Sequence, residues 1–165
     1  MTLRSGVGWD SHRFAEGRSL VLGGVRVEHP LGLAGFSDAD ALTHAVMDAL
    51  LGAAGLGDIG RHFPDTDERW RDADSIELLR TVRGMVGNAG LAPVHVDATV
   101  MCEAPRLGPY RERMRTRLAE AVGVEPSAVN VKFTTGEGMG WVGRGEGIGA
   151  LAIATVRPRG PRDLD

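Results

Sequence analysis

The sequence predicts an α+β or α/β sandwich: a mixed four-stranded β-sheet with about three helices on one face and a β-hairpin near the N-terminus. Three observations carry that prediction. Short β-branched runs are interspersed with longer segments of helical periodicity, Gly and Pro punctuate the junctions, and no repeat, linker or low-complexity block divides the chain. A length of 165 residues suits one core rather than two. Residues 1–157 are therefore read as a single domain, and 158–165, which lack core residues, as a frayed tail.

The elements follow in order. Residues 3–10 and 19–28 read as early strands, LVLGGVRV being the clearest run. From Asp38 to about Leu56, residues Leu42, Ala45, Val46, Ala49, Leu50 and Ala53 recur at helical spacing, with acidic residues at the start where the helix dipole favours them. A second helix opens near Asp74, which has capping-box spacing to Glu77, and runs to the stop at Asn88–Gly90. VHVDATVMC then alternates as a strand does. Pro109 suits a helix start, and the segment after it places Met114, Leu118, Ala121 and Val122 on one side. VNVKFT and IGALAIATV close the chain as strands around a glycine-rich loop.

Composition narrows the function. Nineteen Lys and Arg against 22 Asp and Glu give a net charge of −3, which argues against nucleic acid, because a basic surface supplies most of that affinity. The one cysteine, Cys102, has no partner for an internal disulfide, and no apolar run is long enough to span a membrane. A cytoplasmic protein of the small-molecule class is the expectation.

Asp10 and His12 are two residues apart, so on a strand both project from one face, about 7 Å apart along the chain. His44 lies on the first helix in a stripe with Asp40 and Asp48, carboxylates placed to orient its ring from behind. Two imidazoles and one carboxylate with a fourth position open describe a catalytic zinc site. An Asp-x-His pair also arises by chance, and a helical His is more often a surface or core residue, so spacing alone leaves both readings open. His29, His62 and His95 show no ligand-like spacing.

Two loops stand out. DIGRHFPDTD, residues 58–67, is either a solvated turn or a segment whose carboxylates and backbone meet sugar hydroxyls or a cation. NVKFTTGEGMGWVGRGEG spells G-x-G-x-x-G formally at Gly138, Gly140 and Gly143, yet a strand follows where a dinucleotide fingerprint must open a helix, so that motif is rejected. What remains is a strand ending in Thr134, Thr135 and Glu137 with exposed backbone amides. It reads as a plain glycine-rich hairpin or as a set suited to phosphate oxygens and a hard cation such as Mg2+.

Together GWDSHRF, GFSDADALTHAVMDALLGAAGLGDIG, FPDTD, EAPRLGP, NVKFTT and GRGEGIGA resemble the 2-C-methyl-D-erythritol 2,4-cyclodiphosphate synthase family, in order and spacing over nearly the whole chain. The resemblance implies a metal-dependent, CMP-releasing phosphorus–oxygen lyase of the non-mevalonate isoprenoid pathway, with residues 1–157 as its catalytic domain. In it the 2-phosphate of 4-diphosphocytidyl-2-C-methyl-D-erythritol 2-phosphate attacks the β-phosphorus. Asp10, His12 and His44 would hold Zn2+, one per subunit, and Glu137 a second metal, Mg2+ or Mn2+. Thr135 would stabilise the reacting phosphoryl group. Ser37, beside Phe36, would contact phosphate; Asp58, Ile59 and Gly60 with Phe63, Pro64, Asp65, Thr66 and Asp67 would contact the methylerythritol. Cys102, Glu103, Ala104, Pro105, Arg106, Leu107 and Gly108, with Thr134, would cradle the cytidine, and Gly136 and Trp141 adjoin that ligand set. A homotrimer is implied, with active sites between subunits and a central cavity where Arg144 and Glu146 take an isoprenoid diphosphate.

Departures qualify the match. Phe36 and Ala39 stand in Phe-Ser-Asp-Ala-Asp where the family usually has His-Ser-Asp-Gly-Asp, so the imidazole that would assist the transition state is absent. Gly136 stands where a third Thr is common, Phe133 where a small residue is common, and Trp141 where Phe is usual. Two other readings therefore stay in view: a catalytically weak paralogue that binds isoprenoid or cytidine diphosphates, and a zinc phosphohydrolase.

Overall fold

The computed structural model describes residues 2–160. Strands β1 (Arg4–Ala15), β2 (Leu20–Leu22), β3 (Val25–Val27) and β4 (Gly32–Leu33) come first. Helix α1 (Ala41–Ala54), the one-turn α2 (Ile59–His62) and α3 (Ser75–Asn88) follow. Then come β5 (Leu91–Met101), α4 (Arg111–Val122), β6 (Val129–Thr134), the one-turn α5 (Gly140–Gly143) and β7 (Gly147–Pro158).

The main sheet has five strands in the order β4-β1-β7-β5-β6, one more than expected. The extra strand is β4, whose two residues pair with Phe14 and Ala15 and are too few to show any periodicity. β1 runs antiparallel to β7, β7 antiparallel to β5, and β5 parallel to β6. The expected hairpin lies entirely within residues 20–27: β2 and β3 form their own two-stranded sheet, turned by Gly23 and Gly24 at φ 57° and 67°. β1 pairs with β7 instead.

The three long helices form as expected. Asp40 precedes α1 as its cap rather than sitting in its first turn, and Asp74 caps α3 by accepting from the Ile76 N–H at 2.8 Å. The helices cover one sheet face, burying Leu42, Val46, Leu50, Leu79, Met114 and Leu118 against Val96, Val100, Val131, Ile148 and Val156. The other face is bare and carries Val7, Trp9, Leu151 and Ile153, at 64%, 50%, 39% and 47% exposure. The anticipated boundary at 157 moves outward, because β7 includes Pro158 and the Arg159 N–H donates to the Gly90 carbonyl. Residues 161–165 of the expected tail lie outside the described residues.

One contact of the fold places the site. Gly6 and Gly8 face α1 from β1, and a Cβ on either would stand 2.3 Å from the Ala49 carbonyl oxygen or 1.9 Å from that of Ala45. The missing side chains let the helix settle onto the strand backbone, which brings His44, next to Ala45, down beside Asp10 and His12.

Candidate metal and ligand site

Asp10 Oδ2 lies 2.8 Å from His12 Nε2 and 2.9 Å from His44 Nδ1, and the two ring nitrogens are 3.3 Å apart. Around a tetrahedral ion with bonds of about 2.0–2.1 Å, ligand atoms stand roughly 3.3 Å from one another, so the three donors are already spaced to share one cation. They are the one cluster of this kind among the described residues, with all ligand atoms within 4.8 Å. The outer nitrogens are engaged too. His12 Nδ1 meets the Ala34 carbonyl at 2.6 Å, an atom that can only accept, so Nδ1 keeps its proton and Nε2 faces inward.

The carboxylates expected behind His44 are elsewhere. His44 Nε2 meets Ser75 Oγ at 2.9 Å and Ser37 Oγ at 3.2 Å. Asp40, fully buried, accepts from the Gly23, Gly24 and Thr43 N–H groups and from the Thr43 hydroxyl, tying the β2–β3 turn to the start of α1. Asp48 accepts from the Ile59 N–H at 2.8 Å and anchors α2. Both lie one helical turn from His44, but turning the ring toward Asp10 aims Nε2 at α3, which helical spacing alone does not reveal.

Burial would raise the Asp10 carboxyl, but hydrogen bonds from His12 and His44 and their charge outweigh it and hold it at about 2, against 3.8 ordinarily. Burial would likewise lower His12. The hydrogen bond to Asp10, its charge and the Ala34 carbonyl raise it instead.

The triad forms one wall of a cavity of about 530 Å3. Of the residues singled out from the sequence, Phe36, Ser37, Ile59, Gly60, Phe63, Pro64, Asp65 and Thr66 line it. Gly35, Met47, Trp70 and Leu78 line it as well and had no sequence signal. The lining is thus polar at the triad, Ser37, Asp65 and Thr66 and otherwise largely apolar. Asp58 instead accepts from the Arg61 N–H, and Asp67 pairs with Arg69. Phe36 is held between backbone and charge: its carbonyl accepts from the Asp72 N–H at 2.9 Å, and the Arg71 guanidinium carbon lies 4.6 Å from its ring centre.

A second cavity, about 520 Å3, collects Cys102, Glu103, Pro105, Arg106, Leu107, Gly108, Thr134 and Thr135, together with Pro109, Arg111 and Phe133. Ala104 does not line it. It shares no residue with the first cavity: it gathers at the C-terminal ends of β5 and β6, whereas the first lies against Asp10 and His12 of β1. Asp10, Ala150, Val100 and Phe133 form one row across the sheet, so the two sites stand about three strand spacings, roughly 14 Å, apart.

The glycine-rich loop does not leave all its amides open. Gly136 and Gly138 donate to the Glu103 carboxylate at 2.8 and 3.3 Å, and the Glu137 N–H to Thr135 Oγ1 at 3.2 Å. Glu137, at φ 52°, is exposed and outside both cavities, and the half-buried Gly136 and Trp141 line neither. Arg144 and Glu146 pair with each other at 2.6 Å on the surface. Cys102 is buried, and burial pushes its thiol up to about 11, which disfavours the thiolate a nucleophile needs.

Fold and site together define a small α+β protein that gathers two imidazoles and a carboxylate around one point, beside a cavity sized for a small molecule. The chain belongs to the YgbB family, whose profile matches residues 3–157. It is 58% identical over 155 residues to a 2-C-methyl-D-erythritol 2,4-cyclodiphosphate synthase of Salinibacter ruber, covering 94% of this chain and 99% of that one. The synthase of Rubrobacter xylanophilus is 61% identical over 156 residues, covering 93% and 94%. Among solved structures, a 2C-methyl-D-erythritol-2,4-cyclodiphosphate synthase in a CDP-bound form superposes with a TM-score of 0.85 at 37% identity, covering 93% of this chain and all of that one. The bifunctional IspDF of Campylobacter jejuni gives a TM-score of 0.92 at 38% identity; 96% of this chain matches, spanning 43% of that protein.

Proposed function

We propose that the protein is a 2-C-methyl-D-erythritol 2,4-cyclodiphosphate synthase. In this reading it closes 4-diphosphocytidyl-2-C-methyl-D-erythritol 2-phosphate into the cyclic diphosphate with release of CMP. The observation that carries the reading is the Asp10–His12–His44 cluster, spaced for one cation in the wall of a cavity that also presents apolar side chains. Bound Zn2+ would withdraw charge from the diphosphate oxygens. The chain's own residues do the rest. Ser37 and the neighbouring backbone orient the phosphates, and the apolar wall of Ile59, Phe63, Trp70 and Leu78 takes the carbon skeleton. Thr134 and the second cavity take the nucleotide end, Thr135 stabilises the reacting phosphoryl group, and Glu137 would hold Mg2+ or Mn2+. The nucleophile is part of the substrate, so positioning and charge stabilisation suffice without a protein nucleophile.

Two features support a homotrimer with shared sites. The two cavities stand roughly 14 Å apart on one subunit, and a second subunit that set its nucleotide cavity against the triad's cavity would let one substrate fill both at closer range. The bare sheet face with Val7, Trp9, Leu151 and Ile153 is an apolar surface suited to burial between subunits. Trp141, Arg144 and Glu146 would then adjoin a central cavity able to take an isoprenoid diphosphate. A cytoplasmic location accords with the absence, among the described residues, of any helix long and apolar enough to cross a membrane.

Phosphorus NMR of the purified protein with the diphosphocytidyl substrate and zinc tests the reading. Cyclic diphosphate and CMP are expected, and His12→Ala is expected to abolish them. Linear products would instead make the protein a zinc phosphohydrolase. Retained nucleotide binding without turnover would mark a weak paralogue, the reading that Phe36 favours.

A further inference from the structure

We propose that Asp38 and Ser75 are positioning residues that lock His44 into the tautomer bearing its proton on Nε2, leaving the Nδ1 lone pair directed at the cation. The functional consequence rests on the cation reading above. The geometry is a three-member chain. The Ser75 hydroxyl donates to Asp38 Oδ1, and the Ser75 N–H donates to Asp38 Oδ2 at 2.9 Å. With its only hydroxyl proton committed to a carboxylate, Ser75 Oγ can offer His44 nothing but a lone pair. The 2.9 Å contact between Ser75 Oγ and His44 Nε2 is therefore made by the imidazole's own N–H. Nε2 thus keeps its proton toward Ser75, and Nδ1, 2.9 Å from Asp10 Oδ2, is the nitrogen that gives its lone pair to a cation, whose binding replaces the hydrogen bond Asp10 accepts from the ring without it.

The same logic acts on His12 through a different atom, the Ala34 carbonyl. The two rings are thus set by unrelated devices so that both present lone pairs to one point. Ser75 is fully buried at the first position of α3, where the Asp74 cap leaves its hydroxyl free for this task. Asp38 stands two residues before the Asp40 cap of α1, so the chain also ties the start of α3 to the start of α1. Ser37 Oγ, at 3.2 Å from the same nitrogen, is the weaker contact.

Two measurements decide this. Nitrogen NMR of histidine-labelled, metal-free wild-type protein reads the tautomer directly and does not depend on any reaction. The expected result is a proton on His44 Nε2; a bare Nε2 overturns the lock. Zinc affinity by chelator competition is the second. Ser75→Ala is expected to weaken zinc binding by about 10- to 100-fold, as loss of a partner behind a metal-bound imidazole does. Ser75→Thr, which keeps the hydroxyl, should stay within about threefold of wild type on the same scale. Asp38→Asn should weaken binding like Ser75→Ala, because its amide nitrogen can donate to Ser75 Oγ and release the hydroxyl proton toward His44. If wild type binds zinc and Ser75→Ala binds it equally, the positioning role is wrong while the cation reading stands. If wild type binds no zinc, the cation reading fails, and the NMR result still decides the lock.

Discussion

Gly8 lies directly beneath Ala45, so close that a methyl group on Gly8 would stand 1.9 Å from the Ala45 carbonyl oxygen. The backbone there is ordinary for any L-residue, so the constraint is purely steric. Gly8→Ala must lift α1 from β1, and with it His44 from Asp10. Overpacking against a backbone atom is expected to cost about 1–3 kcal/mol. Urea unfolding should show that loss, and zinc titration should show affinity reduced by on the order of tenfold or more. A stable variant with unchanged zinc affinity would refute the coupling between helix seat and metal site.

Asp40 accepts four hydrogen bonds while fully buried. Burial, then the charge of Asp38, raises its carboxyl, and the donors of Thr43 and Gly24 oppose that. Asp40→Ala leaves those donors unpaired and uncaps α1, an expected loss on the order of 3–5 kcal/mol. Equilibrium denaturation measures it. A loss under about 1 kcal/mol would mean that the β2–β3 turn is held by other contacts.

The triad predicts opposite pH trends with and without metal. In metal-free protein the depressed Asp10 carboxyl stabilises the fold above pH 3.8, and this is lost as pH falls toward about 2. The raised His12 imidazole stabilises fully below pH 6.5, and this is lost as pH rises through its folded value. The pair therefore contributes most between roughly pH 4 and 6.5. A cation must displace the His12 proton, so the rise in Tm that zinc confers should grow from about pH 6 to about pH 8. Calorimetry of zinc-loaded and chelator-treated protein across that range checks it, and an increment that shrinks would contradict ligation by His12.

Phe36 lines the triad's cavity with a ring that can neither donate nor titrate, and Arg71 stacks on it. Phe36→His restores a donor there and is expected to raise turnover by up to about 10²-fold. Steady-state kinetics measures this. An unchanged or lower rate would show that the Phe36–Arg71 pair has taken over the position.

Glu103 holds the turn that carries Thr135 and Glu137 through the Gly136 and Gly138 amides. Glu103→Ala should release that turn, speeding amide exchange at both glycines by at least tenfold, and slow turnover on the order of 10-fold. Unchanged exchange would show that the turn is rigid without the carboxylate.

Much of this molecule is legible from its residues. The helical spacing of Leu42, Val46 and Ala49, the Asp74 cap and the Asp10-x-His12 pair all lead to features the structure contains. What stays hidden is what period and spacing cannot encode. β4 is two residues long, and the partners of His44 come from α3, some thirty positions away. Gly6 and Gly8 look like weak strand residues until a helix is seen lying on them. Asp40 and Asp48 share the helical stripe of His44, yet each is consumed by backbone amides that only the folded chain brings near.

Arg4 and Val156 face each other across the β1–β7 ladder, so the two ends of the described fold emerge side by side. They do so about 20 Å along β1 from Asp10, at the opposite rim of the sheet from both cavities. An extra domain grafted at either end would hang from the same corner without shadowing the ligand entrance. A short bridge between those ends, with new ends cut in an exposed loop, should yield a circularly permuted protein that still assembles its metal centre.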